Sequence, residues 1–270
     1  MVKKLFKHEF IYYFRTFGMF LPIVLAISVV TRIFRLFSGK NVISQIAIGS
    51  STLMLVLACV ALLFLSTVIS VVRFYKNMYS AEGYLTFTLP VTNEQHIFVK
   101  LITALACHAM CTITVIIAAC IALSGKLLGD VFDAFLITFK TVGANFGTVN
   151  TIIFAIELVL MMIFSVTQTL LLYYACITIG QTAKKNRIIM AVAAYFVYYA
   201  ATQAIATVFM IIFTVLGISG AFNGIAMWLE NNMIIATHIY FGFALIFSAV
   251  MAWVFWLVTK KVMTKKLNLE

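Results

Sequence analysis

Charge is scarce in this 270-residue chain. Only 10% of its residues are Asp, Glu, Lys or Arg, against about 25% in an ordinary soluble domain. Meanwhile 64% are hydrophobic, and the mean hydropathy is +1.11. That deficit excludes a soluble fold for most of the chain: the apolar runs take up nearly all of it, and no polar stretch is long enough to bury a core of its own. Acid is scarcer still, with 8 Asp and Glu against 19 Lys and Arg. The resulting charge of +11 would suggest nucleic acid in a soluble protein, but here the cations cluster at the ends of apolar runs, as the positive-inside bias demands. Cysteine is also missing from the polar loops. Cys59, Cys107, Cys111, Cys120 and Cys176 all lie within apolar runs and are odd in number, so no disulfide framework is expected. No small-residue cleavage site follows a short apolar region near the basic N-terminus, and no cleaved leader is expected. Finally, no G-x-x-x-x-G-K-[ST], H-E-x-x-H, C-x-x-C or G-x-S-x-G run is present. Nucleotide hydrolysis through a P-loop on this chain is therefore excluded, and no enzymatic activity of its own is expected.

What is present reads as an all-α polytopic membrane protein with six spans. Residues 2–16 form an amphipathic helix in the membrane interface. Phe6, Phe10, Tyr13, Phe14 and Phe17 share one face, and Lys3, Lys4, Lys7 and Arg15 occupy the remainder. Spans are expected at 17–37, 47–72, 101–124, 151–180, 188–216 and 233–259. Pro22 sits near the start of the first, and Arg32 and Arg35 fall in its last turns, where long side chains can snorkel. Between spans three and four, Leu128, Val131, Phe132, Phe135 and Phe139 make a second amphipathic pattern, read as a short surface helix. Gly143 and Gly147 then loosen the chain. The turn Gln181–Arg187 is short and basic, and a Gly-rich connection with Trp228 as an interface anchor precedes span six.

The polar interruption Arg73–Lys100 stands out. The helix of span two can run from about Ala47 to Ala81, with Gly83 as a C-terminal stop. Some 35 residues make a helix of about 52 Å, well beyond the roughly 30 Å of a bilayer core. Such a helix should leave the membrane and end in a water-facing elbow. After Pro90, Thr92-x-x-Gln95 starts a new helix with a capping-box pattern. Six spans put both termini on one side. That side, with the elbow and the Gln181–Arg187 turn, holds 14 of the 19 cations; Arg32, Arg35, Lys40, Lys126 and Lys140 make up the remaining 5. The bias assigns both termini and the elbow to the cytoplasm.

Candidate chemistry inside the spans is sparse. Glu157 is the one acidic residue well inside a predicted span, with Arg32, Arg35 or His238 as candidate partners. An intramembrane carboxylate is a functional hypothesis by default, set against a structural ion pair. Gln168 and Gln203, with Thr167, Thr169, Thr202 and Thr207, could line a path or hydrogen-bond helices together. Cys107 and Cys111 share a helix face, and His108 neighbours Cys111 one turn away, but no second cluster completes four ligands, and no metal site is expected.

The elbow also carries a resemblance. RFYKNMYSAEGYLTFTLPVTNEQ (Arg73–Gln95) resembles the cytoplasmic segment after the second span in type-2 ATP-binding-cassette (ABC) transporter permeases of Gram-positive bacteria. YYACITIGQTAKKNRIIMAVAAYF (Tyr173–Phe196) is similar to their turn between spans four and five. The resemblance implies a permease subunit of the bacterial cell membrane that pairs with a second permease copy, as a homodimer or heterodimer. It also implies two copies of a separate ABC ATPase carrying ATP and Mg, no cofactor on this chain and no nucleic acid. ATPase coupling would fall on Arg73, Lys76, Asn77, Tyr79, Glu82, Gly83, Tyr84 and Pro90, with Lys184, Lys185 and Arg187 as a second contact. Spans two and five would line the path. Exported cargo in the family is often a peptide, an antimicrobial or a lipid-like molecule, and no large outer domain of the macrolide-exporter type is present here. Two alternatives from other classes stand beside this reading. One is an ion-coupled carrier using Glu157 with His108 and His238; the other is a membrane scaffold or sensor without transport.

Overall fold

The computed structural model describes residues 2–266 except 38–40, 89, 124 and 221–222. Lys40, one of the cations counted above, lies outside the described residues. Every element is helical, as expected where no water is at hand to satisfy backbone groups. In order they are α1 (Val2–Phe17), α2 (Phe20–Leu36), α3 (Val42–Tyr79), α4 (Ala81–Phe87), α5 (Asn93–Leu123), α6 (Lys126–Phe146), α7 (Thr148–Gly180), α8 (Arg187–Ile218), α9 (Asn223–Asn231) and α10 (Met233–Lys266). Among the described residues, six stretches are long and apolar enough to cross a membrane: α1 with α2, then α3, α5, α7, α8 and α10. The chain is thus a multi-pass helical membrane protein, with the six spans that its hydropathy predicts.

Three local expectations need correction. The long helix does not run through to Ala81. It stops at Tyr79, and Ser80 takes an extended conformation (φ −102°, ψ −171°) before α4 begins. Gly83 lies inside α4 and terminates nothing. The surface helix after span three is not short: α6 has 21 residues, Gly143 lies within it, and only Gly147 separates it from α7. The Gly-rich connection before span six holds a further helix, α9, which carries Trp228.

The chain divides into two compact units, Met1–Thr141 and Val142–Glu270. In the first, α2, α3 and α5 pack against one another, α1 lies on α5, and α4 folds back on α3. Its core joins Tyr13, Phe17, Val24, Leu55 and Leu62 to the small residues Cys107, Cys111, Ala118 and Ala122. Small side chains let helix backbones approach where no hydrophobic force drives them together in lipid. At one end of this bundle, Arg35 donates to the Ala122 carbonyl (3.1 Å) and to Thr52 Oγ1 (3.3 Å). A cation there satisfies a carbonyl that the last turn of α5 leaves unpaired.

In the second unit α7 packs along α10 and beside α8. Aromatic pairs hold it: Phe154 with Phe241 (5.0 Å between ring centroids), Tyr173 with Tyr195 (5.6 Å) and Tyr198 with Phe255 (5.4 Å). Gly180 permits the tight return from α7 to α8, since a Cβ there would sit 2.6 Å from the Ala191 Cβ. Asn186, at φ +55°, completes the turn in a region that Asn tolerates better than most residues. α8 has no buried residue at all. Only a stripe with Ala191, Ala194, Tyr195 and Tyr198 is half-buried, and most of its remaining apolar surface is exposed, as suits a span in lipid.

Candidate functional site

The elbow is built from the last turns of α3. Arg73 and Asn77 are one helical turn apart and share a face. After Tyr79 the chain turns at Ser80, whose hydroxyl donates back to the Lys76 carbonyl and whose own carbonyl accepts the Gly83 N–H at 2.7 Å. α4 can then fold against the end of α3 because residue 83 lacks a side chain. A Cβ on Gly83 would lie 2.7 Å from the Met78 carbonyl oxygen, closer than van der Waals contact allows. Glu82 falls in the first turn of α4, where a carboxylate suits the positive helix end. It reaches Arg73 Nη1 at 3.4 Å.

Beneath the elbow lies a carboxylate that the sequence reading missed. Glu9 of α1 is 3% exposed. Its Oε1 accepts from Asn77 Nδ2 (2.6 Å) and Lys100 Nζ (3.0 Å), and its Oε2 accepts from Arg73 Nε (3.2 Å). The Arg73 guanidinium also stacks 3.8 Å from the centre of the Tyr12 ring, a favourable cation–π placement. Two carboxylates thus face two cations across α1, α3, α4 and α5, and the charges balance. Burial makes that balance matter. Lys100 is 3% exposed, and an unpaired charge in such a place is costly. Glu82 is more than half exposed and lies at the solvent edge of the network, so its own ion pair contributes little to stability.

The first turn of α5 shows the expected capping box. The Thr92 N–H donates to Gln95 Oε1 (3.2 Å), and the Gln95 N–H donates to Thr92 Oγ1 (3.4 Å). The remaining elbow residues divide by exposure. Tyr84 is 70% exposed, Lys76 and Pro90 are exposed, and Tyr79 is half-buried against Phe74 and Tyr75. Of the residues predicted for the elbow, the structure joins Arg73, Asn77 and Glu82 in one network. It leaves Tyr84 and Pro90 outward. Lys184, Lys185 and Arg187, in the second unit, are all exposed on and beside the α7–α8 turn.

The intramembrane candidates do not form one site. Glu157 takes His238 as its partner, with Nδ1 at 3.0 Å from both carboxylate oxygens. Arg35, another candidate for that role, is engaged at Ala122 and Thr52 instead. Beside His238 lies a cavity of about 160 Å³, bounded by Phe146, Asn150, Thr151 and Phe154 among others. Gln168 is half-buried on α7, and Gln203 donates to the Tyr199 hydroxyl at 3.2 Å. Eleven residues separate Glu157 from Gln168 on α7, or about 16 Å along its axis. Cys107 and Cys111 are buried free thiols, while His108 Nδ1 lies 2.6 Å from Ser66 Oγ. Among the described residues, no group of three His, Cys, Asp or Glu side chains is placed to hold a metal ion.

Spacing places Glu9 on the buried face of α1 but does not reveal its partners. It stands four and eight residues before Tyr13 and Phe17, and all three are buried on the inner face of α1. The aromatic face read from the sequence is rotated from that one: Phe14, assigned to it, is 57% exposed.

No family model, no curated protein and no solved structure matches this chain.

Proposed function

We propose that this chain is the membrane subunit of an ATP-driven exporter, moved by a separate ABC ATPase that binds at the elbow. The observation that carries the reading is the charge network under α4. A partner that pushes on an exposed, seven-residue helix does work only if that helix is tied to the spans. The close packing of Gly83 on Met78 holds α4 to α3, Glu82 adds a pair with Arg73 at the solvent edge, and Glu9 joins α3 to α1 and α5. The resemblance of Arg73–Gln95 to the coupling segment of ABC type-2 permeases points the same way. In this reading both termini and the elbow are cytoplasmic, as the cation bias requires. ATP and Mg sit on two copies of the partner, Tyr84 and Glu82 contact it, and Lys184, Lys185 and Arg187 supply a second contact. A second permease copy covers the outward face of α8, which has no buried residue in the single chain. The cargo class is a peptide, an antimicrobial or a lipid-like amphipath. ATP binding closes the ATPases, and the differential contacts of the elbow in the two states shift the spans between them.

The test is the ATPase activity of the purified complex in lipid. Tyr84→Ala and Glu82→Lys should each impair substrate-stimulated hydrolysis while the chain stays folded and inserted. Unchanged stimulation in both variants would refute the assignment.

One observation favours a second reading, an ion-coupled carrier: the Glu157–His238 pair inside the second unit, bordered by a cavity. Transport by the purified chain alone, abolished in Glu157→Gln, would establish it and displace the first.

A further inference from the structure

α1 is electrically two-sided, and its outward side makes no ion pair among the described residues. The one acid of the helix, Glu9, is turned inward and held by Arg73, Asn77 and Lys100. Lys3, Lys4, Lys7 and Arg15 are exposed on the other side. None of these four makes an ion pair among the described residues. The placement of Lys3 and Lys4 also opposes the helix's own electrostatics. The first turn of α1 carries Lys3 and Lys4 and no acid, although the positive end of a helix disfavours cations. The macrodipole and three lysines therefore add their potentials at one end of the helix. Along the same outward side the C-terminal half carries the apolar Ile11 (51% exposed) and Phe14 (57% exposed) beside Arg15. A side that interleaves long cationic side chains with exposed apolar ones fits a bilayer boundary, with the cations reaching the headgroups and Ile11 and Phe14 nearer the acyl chains.

We propose that the outward side of α1 binds anionic phospholipid headgroups, with Lys3, Lys4, Lys7 and Arg15 as the charged contacts and Ile11 and Phe14 seated among the acyl chains. Free phosphate would satisfy the lysines but gives Ile11 and Phe14 nothing to bury against, so the occupant is a lipid. The inference is independent of the exporter reading, because it requires neither a partner ATPase nor a particular side of the membrane. A basic residue near an anionic surface contributes about fivefold in binding, and that contribution weakens as salt shortens the Debye length.

The experiment is native mass spectrometry of the full-length chain, released from detergent containing equal amounts of phosphatidylglycerol and phosphatidylcholine. The variants carry Lys3→Gln, Lys4→Gln, Lys7→Gln and Arg15→Gln together or, as the control, Lys184→Gln, Lys185→Gln and Arg187→Gln. The wild-type chain should retain phosphatidylglycerol in preference to phosphatidylcholine. The α1 variant should lose that preference by more than tenfold with unchanged helical circular dichroism, and the control variant should keep it. Excess inorganic phosphate should leave the retained lipid in place. Equal retention by the α1 variant and the wild type, equal loss in the control variant, or displacement by inorganic phosphate would each overturn the proposal.

Discussion

Replacing Glu9 by Gln tests the network at its centre. The substitution keeps the shape and removes one negative charge from among three donors. Gln can offer its single carbonyl oxygen to Lys100 or to Asn77. Its amide nitrogen must then face Arg73 Nε, donor against donor, at the 3.2 Å now occupied by an ion pair. Lys100, with 4% of its side chain exposed, and Arg73, with 17%, are left facing a neutral group. Breaking a buried pair from one side costs about 3–5 kcal/mol, a factor on the order of a hundred or more in the folding equilibrium. Lys100→Met alone should cost less, because Arg73 and Asn77 still hold the carboxylate. Combining the two changes should relieve the stranded cation, so the double variant should be more stable than the sum of the single losses by about 2 kcal/mol. The assay is equilibrium unfolding of the four proteins in a mixed micelle, read by circular dichroism and by retention of a monodisperse elution peak. A Glu9→Gln change within about 0.5 kcal/mol of wild type, or a strictly additive cycle, would refute the reasoning.

Three further outcomes follow from the same geometry. Gly83→Ala places a Cβ 2.7 Å from the Met78 carbonyl, so α4 should swing off α3. Limited proteolysis should then cut near Ser80 at least several-fold faster than in wild type, and an unchanged rate would count against the close packing of that elbow. Thr92→Ala removes one half of the capping box and should cost about 1 kcal/mol of stability, measured by the same unfolding assay. His238→Ala takes the partner from a Glu157 side chain that is 16% exposed. It should cost about 1–3 kcal/mol, and Glu157→Gln in the same background should restore part of that loss; no recovery would mean that the pair is not a unit.

Much of the architecture was legible because membrane spans announce themselves by length and hydropathy, and because turn chemistry is local. The capping box at Thr92 is of that kind, and so is the exposed basic turn after Gly180. The features that failed depend on tertiary contacts. Nothing in the local propensity of Lys76–Ala81 ends a helix, and Ser80 is a neutral residue for helix interiors. The break appears once Glu82 is drawn to Arg73 and Gly83 lets α4 lie against Met78. Glu9 was passed over because one acid among four cations on an amphipathic helix reads as a solvated face. Its role needs Arg73 and Lys100, which lie 64 and 91 residues away in sequence. For Glu157 the sequence offered three partners, and only the packing of α7 on α10 selects His238. The elbow itself stands out as a polar interruption between spans, but the charge network that joins it to α1 and α5 does not.

The most direct measurement is site-specific photo-crosslinking from position 84, carried out in native membranes and read by mass spectrometry. Tyr84 is exposed at the tip of the elbow and engaged in no part of the charge network. The account predicts an ATP-sensitive crosslink to a polypeptide that carries a P-loop. It is contradicted if no such polypeptide is crosslinked, or if a membrane-impermeant reagent labels position 84 from outside intact cells.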